Sequence, residues 1–148
     1  MRYDETVLER HGVEVETYDL TSIMKIYNSL SDSDGSVLEW RRDLNAAMNC
    51  SAAPAGRDLV LAKFGAAVES VIKTAKLDAI AIRCWSELQE LLGIAPCSIL
   101  GLLNHKGISA ACETDVSNAV AMRALAAASG RSAGCLDLNN NYGAEENK

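Results

Sequence analysis

The chain has 148 residues, a net charge of −6 and an isoelectric point near 4.9. This length bounds one domain with a real core, and the acidic balance disfavours a large phosphate-binding surface, so no nucleic-acid partner is expected. Apolar residues reach 49% and aromatics only 5%, so Ala, Leu, Val and Ile must fill the interior, as helices packed on a sheet require.

Val13-Glu14-Val15-Glu16-Thr17-Tyr18 alternates with period two, the signature of a half-buried strand. Residues 20–30 read as a short helix, closed by Ser31-Asp32-Ser33-Asp34-Gly35. Ser36 can cap the next helix, over 37–48. Pro54, Gly56 and their small neighbours make 49–57 a loop or helix break. Asp58 opens a long helix in which Val60, Phe64, Ala67, Val68, Val71 and Ile72 recur on one stripe. Ala79-Ile80-Ala81-Ile82 is a short apolar run that fits a central parallel strand. A helix over 86–92 ends at Gly93. Ser98-Ile99-Leu100-Gly101-Leu102-Leu103 reads as a second buried strand, and residues 109–112 as a third, shorter one. A helix over 115–129, with Gly130 past its end, leads to a last strand, Cys135-Leu136-Asp137-Leu138.

This alternation predicts an α/β three-layer sandwich with a mostly parallel, Rossmann-like sheet. Residues 1–142 form a single α/β domain in this reading, and 143–148 a polar, frayed tail. The chain stops just after its last expected strand, so a fragment or one domain of a longer polypeptide is expected.

Met1-Arg2-Tyr3-Asp4-Glu5 is followed by no apolar core of the kind a signal peptide needs. No run approaches the roughly 18 apolar residues of a membrane span. A cytoplasmic location without membrane contact is therefore expected. The five cysteines, Cys50, Cys84, Cys97, Cys112 and Cys135, are odd in number, widely spaced and without a Cys-x-x-Cys. That pattern favours reduced core thiols over a zinc site or a disulfide framework.

In an open α/β sheet, ligands bind outside the carboxyl ends of the strands. Four groups fall there: Arg83-Cys84-Trp85, Asn104-His105-Lys106-Gly107, Glu113-Thr114-Asp115, and Asp137 with Asn139, Asn140 and Asn141. Glu113 and Asp137 each follow or end an apolar stretch, where a carboxylate is costly unless something cationic meets it. One reading makes them oxygen ligands for Mn²⁺ or Mg²⁺ that also move protons. The other makes them a helix-capping acid and a strand-end acid, both solvated. Asp115 can take the capping role and leave Glu113 free. Arg83 can bind a sugar hydroxyl or sit in a surface ion pair, and Trp85 can platform a sugar ring or pack. Asn139 can hydrogen-bond hydroxyls or mark a turn. His105 reads as a solvated turn residue, and Gln89 as helix surface.

Dinucleotide, Walker, Gly-x-Ser-x-Gly and His-Glu-x-x-His motifs are absent, and two histidines give a Ser-His-Asp arrangement little support. A response-regulator-like module would need paired acids after the first strand and a Lys after the last, and neither is present.

Three ordered stretches carry a family resemblance. Asp78-Ala79-Ile80-Ala81-Ile82-Arg83-Cys84-Trp85 with Leu92-Gly93-Ile94-Ala95-Pro96-Cys97 is the first. Ala111-Cys112-Glu113-Thr114-Asp115-Val116-Ser117-Asn118-Ala119 and Leu136-Asp137-Leu138-Asn139-Asn140-Asn141-Tyr142 are the others. Together they resemble the middle domain of L-fucose isomerase-like proteins and, more distantly, L-arabinose isomerases. The resemblance implies a metal-dependent ketol isomerase for a pentose or deoxyhexose. It makes Glu113 and Asp137 the Mn²⁺ (or Mg²⁺) ligands, which also shuttle a proton between C1 and C2 through an enediol. Arg83, Trp85 and Asn139 become sugar-binding residues, and the full-length protein a homo-oligomer. The family's third ligand, a histidine, has no match here, and His105 does not stand in for it. The isolated chain is therefore expected to bind metal weakly and isomerise poorly or not at all. The competing expectation is a non-catalytic sugar-binding or scaffolding α/β domain.

Overall fold

The structure is a computed structural model, and it describes residues 3–49, 53–84 and 86–135. Three helices lead in: α1 (Glu5–Arg10), α2 (Leu20–Ser29) and α3 (Gly35–Ala47). Asp19 starts α2 by accepting a hydrogen bond from the Ser22 amide at 2.8 Å, which satisfies one of the helix's orphan donors. The long α4 (Arg57–Ala75) follows, then β1 (Ala79–Ile82), α5 (Glu87–Leu92), α6 (Cys97–His105), β2 (Ser109–Cys112) and α7 (Val116–Ser129).

The core gathers on α4, whose Ala62, Phe64, Ala66, Ala67, Val68 and Ile72 are buried. Helix α3 crosses it through Trp40, fully buried, whose indole N–H donates to Glu69 at 2.7 Å. The ring lies directly on Gly65: a Cβ there would sit 2.6 Å from Trp40 Cε3. The close crossing is built on the absence of a side chain. Gly65→Ala gains about 1 kcal/mol of helix propensity but overpacks a rigid ring, typically costing about 1–3 kcal/mol, so a net loss of up to about 2 kcal/mol is expected in urea titration. An unchanged midpoint would show that the two helices can part freely.

Lys106 lies over the Trp40 ring, 4.5 Å from its centroid, and pairs with Asp43 at 2.8 Å. The Lys106 hydrogen bond, then that of Arg42, holds the Asp43 carboxyl below its usual range, and Arg41 does the same for Asp58. A carboxyl whose folded pKa is depressed adds stability above its unfolded pKa of about 4, and that stability is lost as pH falls through the folded value. Stability is therefore expected to be level from neutral pH to about pH 5 and to decline below about pH 4. The deficit of Lys106→Met should narrow over that same acidic window, as thermal melts across pH would show.

Strands β1 and β2 form a two-stranded parallel sheet in the register Ala79↔Ser109 to Ile82↔Cys112. Its two faces part by residue parity. Ile80, Ile82, Ala110 and Cys112 join the main core with α4 and α6, while Ala79, Ala81 and Ala111 pack with Ala119 and Met122 of α7. The fold is thus mixed α/β and mostly helical, and among the described residues the sheet has two strands. This is less than the expected Rossmann-like sheet. All four residues of β1 are only half-buried, because among the described residues β1 pairs with β2 alone and a groove of about 1000 Å³ runs along its other side.

Two expected strands are corrected. Residues 13–18 line that groove without a ladder. Val13 and Val15 are half-buried and Glu14 and Glu16 exposed, so the alternation records which side chains turn inward, not a sheet pairing. Residues 98–103 are helical within α6: Ile99, Leu100, Leu102 and Leu103 are buried while Cys97, Gly101 and His105 are exposed, a spacing near 3.6. A short apolar run satisfies either element, and this one is Leu-rich with a single β-branched residue. Residues 136–138 of the last expected strand lie outside the described residues.

Asn104, near the end of α6, finishes the outer edge of β2. Its side chain accepts from the Ala110 amide at 3.0 Å and donates to the Ala110 carbonyl at 2.9 Å, as a neighbouring strand would.

Candidate functional site

The parallel register delivers both strands to one rim. Ile82 and Cys112 are opposite each other, so Arg83 and Glu113 leave the sheet side by side. The Thr114 amide donates to the Ile82 carbonyl at 3.3 Å and ties the two exits together. After β2 the chain turns sharply, with the Asp115 amide donating to the Cys112 carbonyl at 3.0 Å. Both central residues adopt left-handed backbone, Glu113 at φ 57° and Thr114 at φ 56°. Left-handed backbone costs a non-glycine residue of order 1 kcal/mol or more.

Asp115, buried, caps α7: it accepts from the Asn118 amide at 3.0 Å and from the Asn118 side chain at 2.6 Å. The capping role expected of it is filled, and the Glu113 side chain is left exposed, without a hydrogen bond or ion pair to another described residue. Arg83 is exposed and pairs with Glu87 at 3.1 Å, both side chains about half exposed. That is the surface ion pair its position allowed. Trp85, Asp137 and Asn139 lie outside the described residues.

The group 104–107 is not on this rim. With 98–103 helical, α6 runs back toward the start of β2, so Asn104 meets Ala110, and His105 is an exposed last residue of the helix. Gln89 is exposed on α5, as expected.

What the sequence reading missed is a thiol cluster. The sulfurs of Cys84, Cys97 and Cys112 all lie within 4.8 Å of one another. Cys112 ends β2, Cys84 lies two residues past β1, and Cys97 is the first residue of α6. Cys84 is buried, Cys112 half-buried and Cys97 exposed, and the four described cysteines are free. Burial pushes the Cys112 thiol up to about 12, with the Cys84 hydrogen bond adding to the rise, so it carries its proton at neutral pH. The signal available in sequence was position: all three sit at element boundaries.

A hard ion such as Mn²⁺ or Mg²⁺ requires several oxygen donors. Glu113 offers a carboxylate of the right type on the rim, and Asp137 is not among the described residues. Within those residues, the three thiols are the one set of three or more His, Cys, Asp or Glu side chains whose donor atoms are close enough to share an ion. Thiols suit softer metals.

No protein-family model matches the chain, and no solved structure does. Among curated proteins, the chain is similar to the sulfoquinovose isomerase of Priestia megaterium (strain ATCC 12872 / QMB1551), 36% identical over 61 residues, which is 41% of this chain and 14% of that protein. It is similar to the sulfoquinovose isomerase of Alkalicoccus urumqiensis, 39% identical over 61 residues, again 41% and 14%. A longer match, 27% identical over 120 residues, covers 80% of this chain and 26% of the sulfoquinovose isomerase of Clostridium sp. (strain MSTE9). The chain therefore spans about a quarter or less of the relatives it matches, all named as one sugar isomerase. None of its described helices is long and apolar enough to cross a membrane.

Proposed function

We propose that this chain is part of a metal-dependent aldose–ketose isomerase, related to the L-fucose isomerase-like proteins and acting through an enediol. The observation that carries the reading is Glu113: an exposed carboxylate, unpaired among the described residues, held in left-handed backbone at the carboxyl end of a parallel strand, in a chain similar to sulfoquinovose isomerases. Strained backbone of this kind clusters at functional sites. Glu113 and Asp137 move the proton between C1 and C2 of the open-chain sugar. They also hold, with a histidine from elsewhere in the protein, an Mn²⁺ or Mg²⁺ ion. When bound, that ion supplies positive charge against the two oxygens of the enediolate. Arg83, Trp85 and Asn139 line the sugar's path.

The β1-to-β2 connection packs α6 on one face of the sheet and α7 leaves β2 on the other, an arrangement that supports a larger parallel sheet as part of this reading.

The test is isomerisation by the full-length gene product after chelation, with and without added Mn²⁺ or Mg²⁺. Sulfoquinovose is the first substrate, beside pentoses and deoxyhexoses. Metal-restored turnover is expected, with little or none from the 148-residue chain alone. Turnover that survives chelation, or full turnover by the chain alone, contradicts the reading. The alternative reading is a sugar-binding or scaffolding domain without chemistry. Sugar binding to the full-length product without any turnover would select it.

A further inference from the structure

We propose that Cys84, Cys97 and Cys112 form a trithiolate site for a thiophilic cation of the Zn²⁺ class, separate from the carboxylate chemistry above. Their sulfurs lie within 4.8 Å of one another. Three thiolates around a tetrahedral Zn²⁺, with Zn–S of about 2.3 Å, stand about 3.8 Å apart. Closing onto an ion therefore takes a contraction of about 1 Å or less, within reach of side-chain torsions.

The frame is suited to holding the three in place. Cys112 is anchored in β2, in register with Ile82, and Cys84 lies two residues past Ile82, beyond the neighbouring strand β1. Cys97 opens the nine-residue α6, where the positive end of the helix favours an anionic sulfur. The set is graded from buried Cys84 through half-buried Cys112 to exposed Cys97. That gradient gives an ion a closed floor, an entry path and a fourth position open to water or a small ligand. Three soft sulfurs with no carboxylate or imidazole among them select against Mg²⁺ and Mn²⁺. Binding is not a redox step: each sulfur–metal bond that forms sends one thiol proton to the buffer.

The reduced, metal-free 148-residue chain should be titrated with Co²⁺ as a spectroscopic probe and then with Zn²⁺. A thiolate-to-cobalt charge-transfer band that saturates and is abolished by Zn²⁺ is expected. In the same wild-type protein, Zn²⁺ should protect Cys84, Cys97 and Cys112 from alkylation, as peptide mapping would show, while exposed Cys135 stays reactive. Cys97→Ser, a change at an exposed site, should weaken Zn²⁺ binding at least about 100-fold, and Cys135→Ser should leave it unchanged. Lack of the band, equal alkylation of all the cysteines, or undiminished binding by Cys97→Ser overturns the proposal. So does a disulfide between two of the three in protein purified under reducing conditions. Alkylation mapping decides the matter even if a variant fails to fold. The Glu113→Gln chain should keep the cobalt band, so this proposal and the isomerase reading fail independently.

Discussion

Glu113→Gln in the full-length gene product is expected to lower kcat/KM for metal-dependent isomerisation by about 10²–10⁴-fold, the usual contribution of a positioned acid–base group. Gln keeps the shape and removes the charge and the proton-carrying oxygen. The Glu113 side chain is exposed and bonded to no other described residue, so the melting temperature should not move. Glu113→Gly separates function from strain. Residue 113 sits at φ 57°, where glycine is at ease and glutamate is not. This variant should lose activity to the same degree while gaining up to about 1 kcal/mol of stability. Wild-type turnover in either variant removes Glu113 from the mechanism. A large loss of stability in Glu113→Gln would mean that its carboxylate supports the fold instead.

Asn104→Ala is expected to destabilise the chain by about 2–4 kcal/mol. One amide side chain satisfies both the N–H and the C=O of Ala110, a residue only 3% exposed. Removing it leaves two backbone groups unpaired, and each buried orphan costs about 1–3 kcal/mol. Urea unfolding and amide exchange at Ala110 would measure the effect, and exchange there should accelerate more than in α4. A loss below about 0.5 kcal/mol would show that water takes over both bonds without penalty.

Much of the rim was legible because its rules are local. An acid three residues past a strand and directly before a helix is a cap by elementary hydrogen-bond logic, so Asp115 could be read as the cap and Glu113 as free before any coordinates. The strand 79–82, the strand 109–112 and the helices closed by Gly93 and Gly130 likewise follow from short-range patterns.

Local rules were silent where two structures satisfied the same pattern. The run 98–103 is apolar enough for a buried strand or a buried helix; α6 forms because Ile99, Leu100, Leu102 and Leu103 can all face α3, α4 and β2 at once. Residues 13–18 alternate, yet alternation requires a partner's free backbone groups before it becomes a strand. The thiol cluster depended on that same tertiary choice. Cys97 reaches Cys84 and Cys112 only because α6 is a helix whose first turn lies near the ends of two strands in register. Side-chain character and capping are properties of neighbours along the chain, and these the sequence alone determined. Which distant residues share a rim depends on how elements return over one another, and that is settled by the burial of faces in three dimensions.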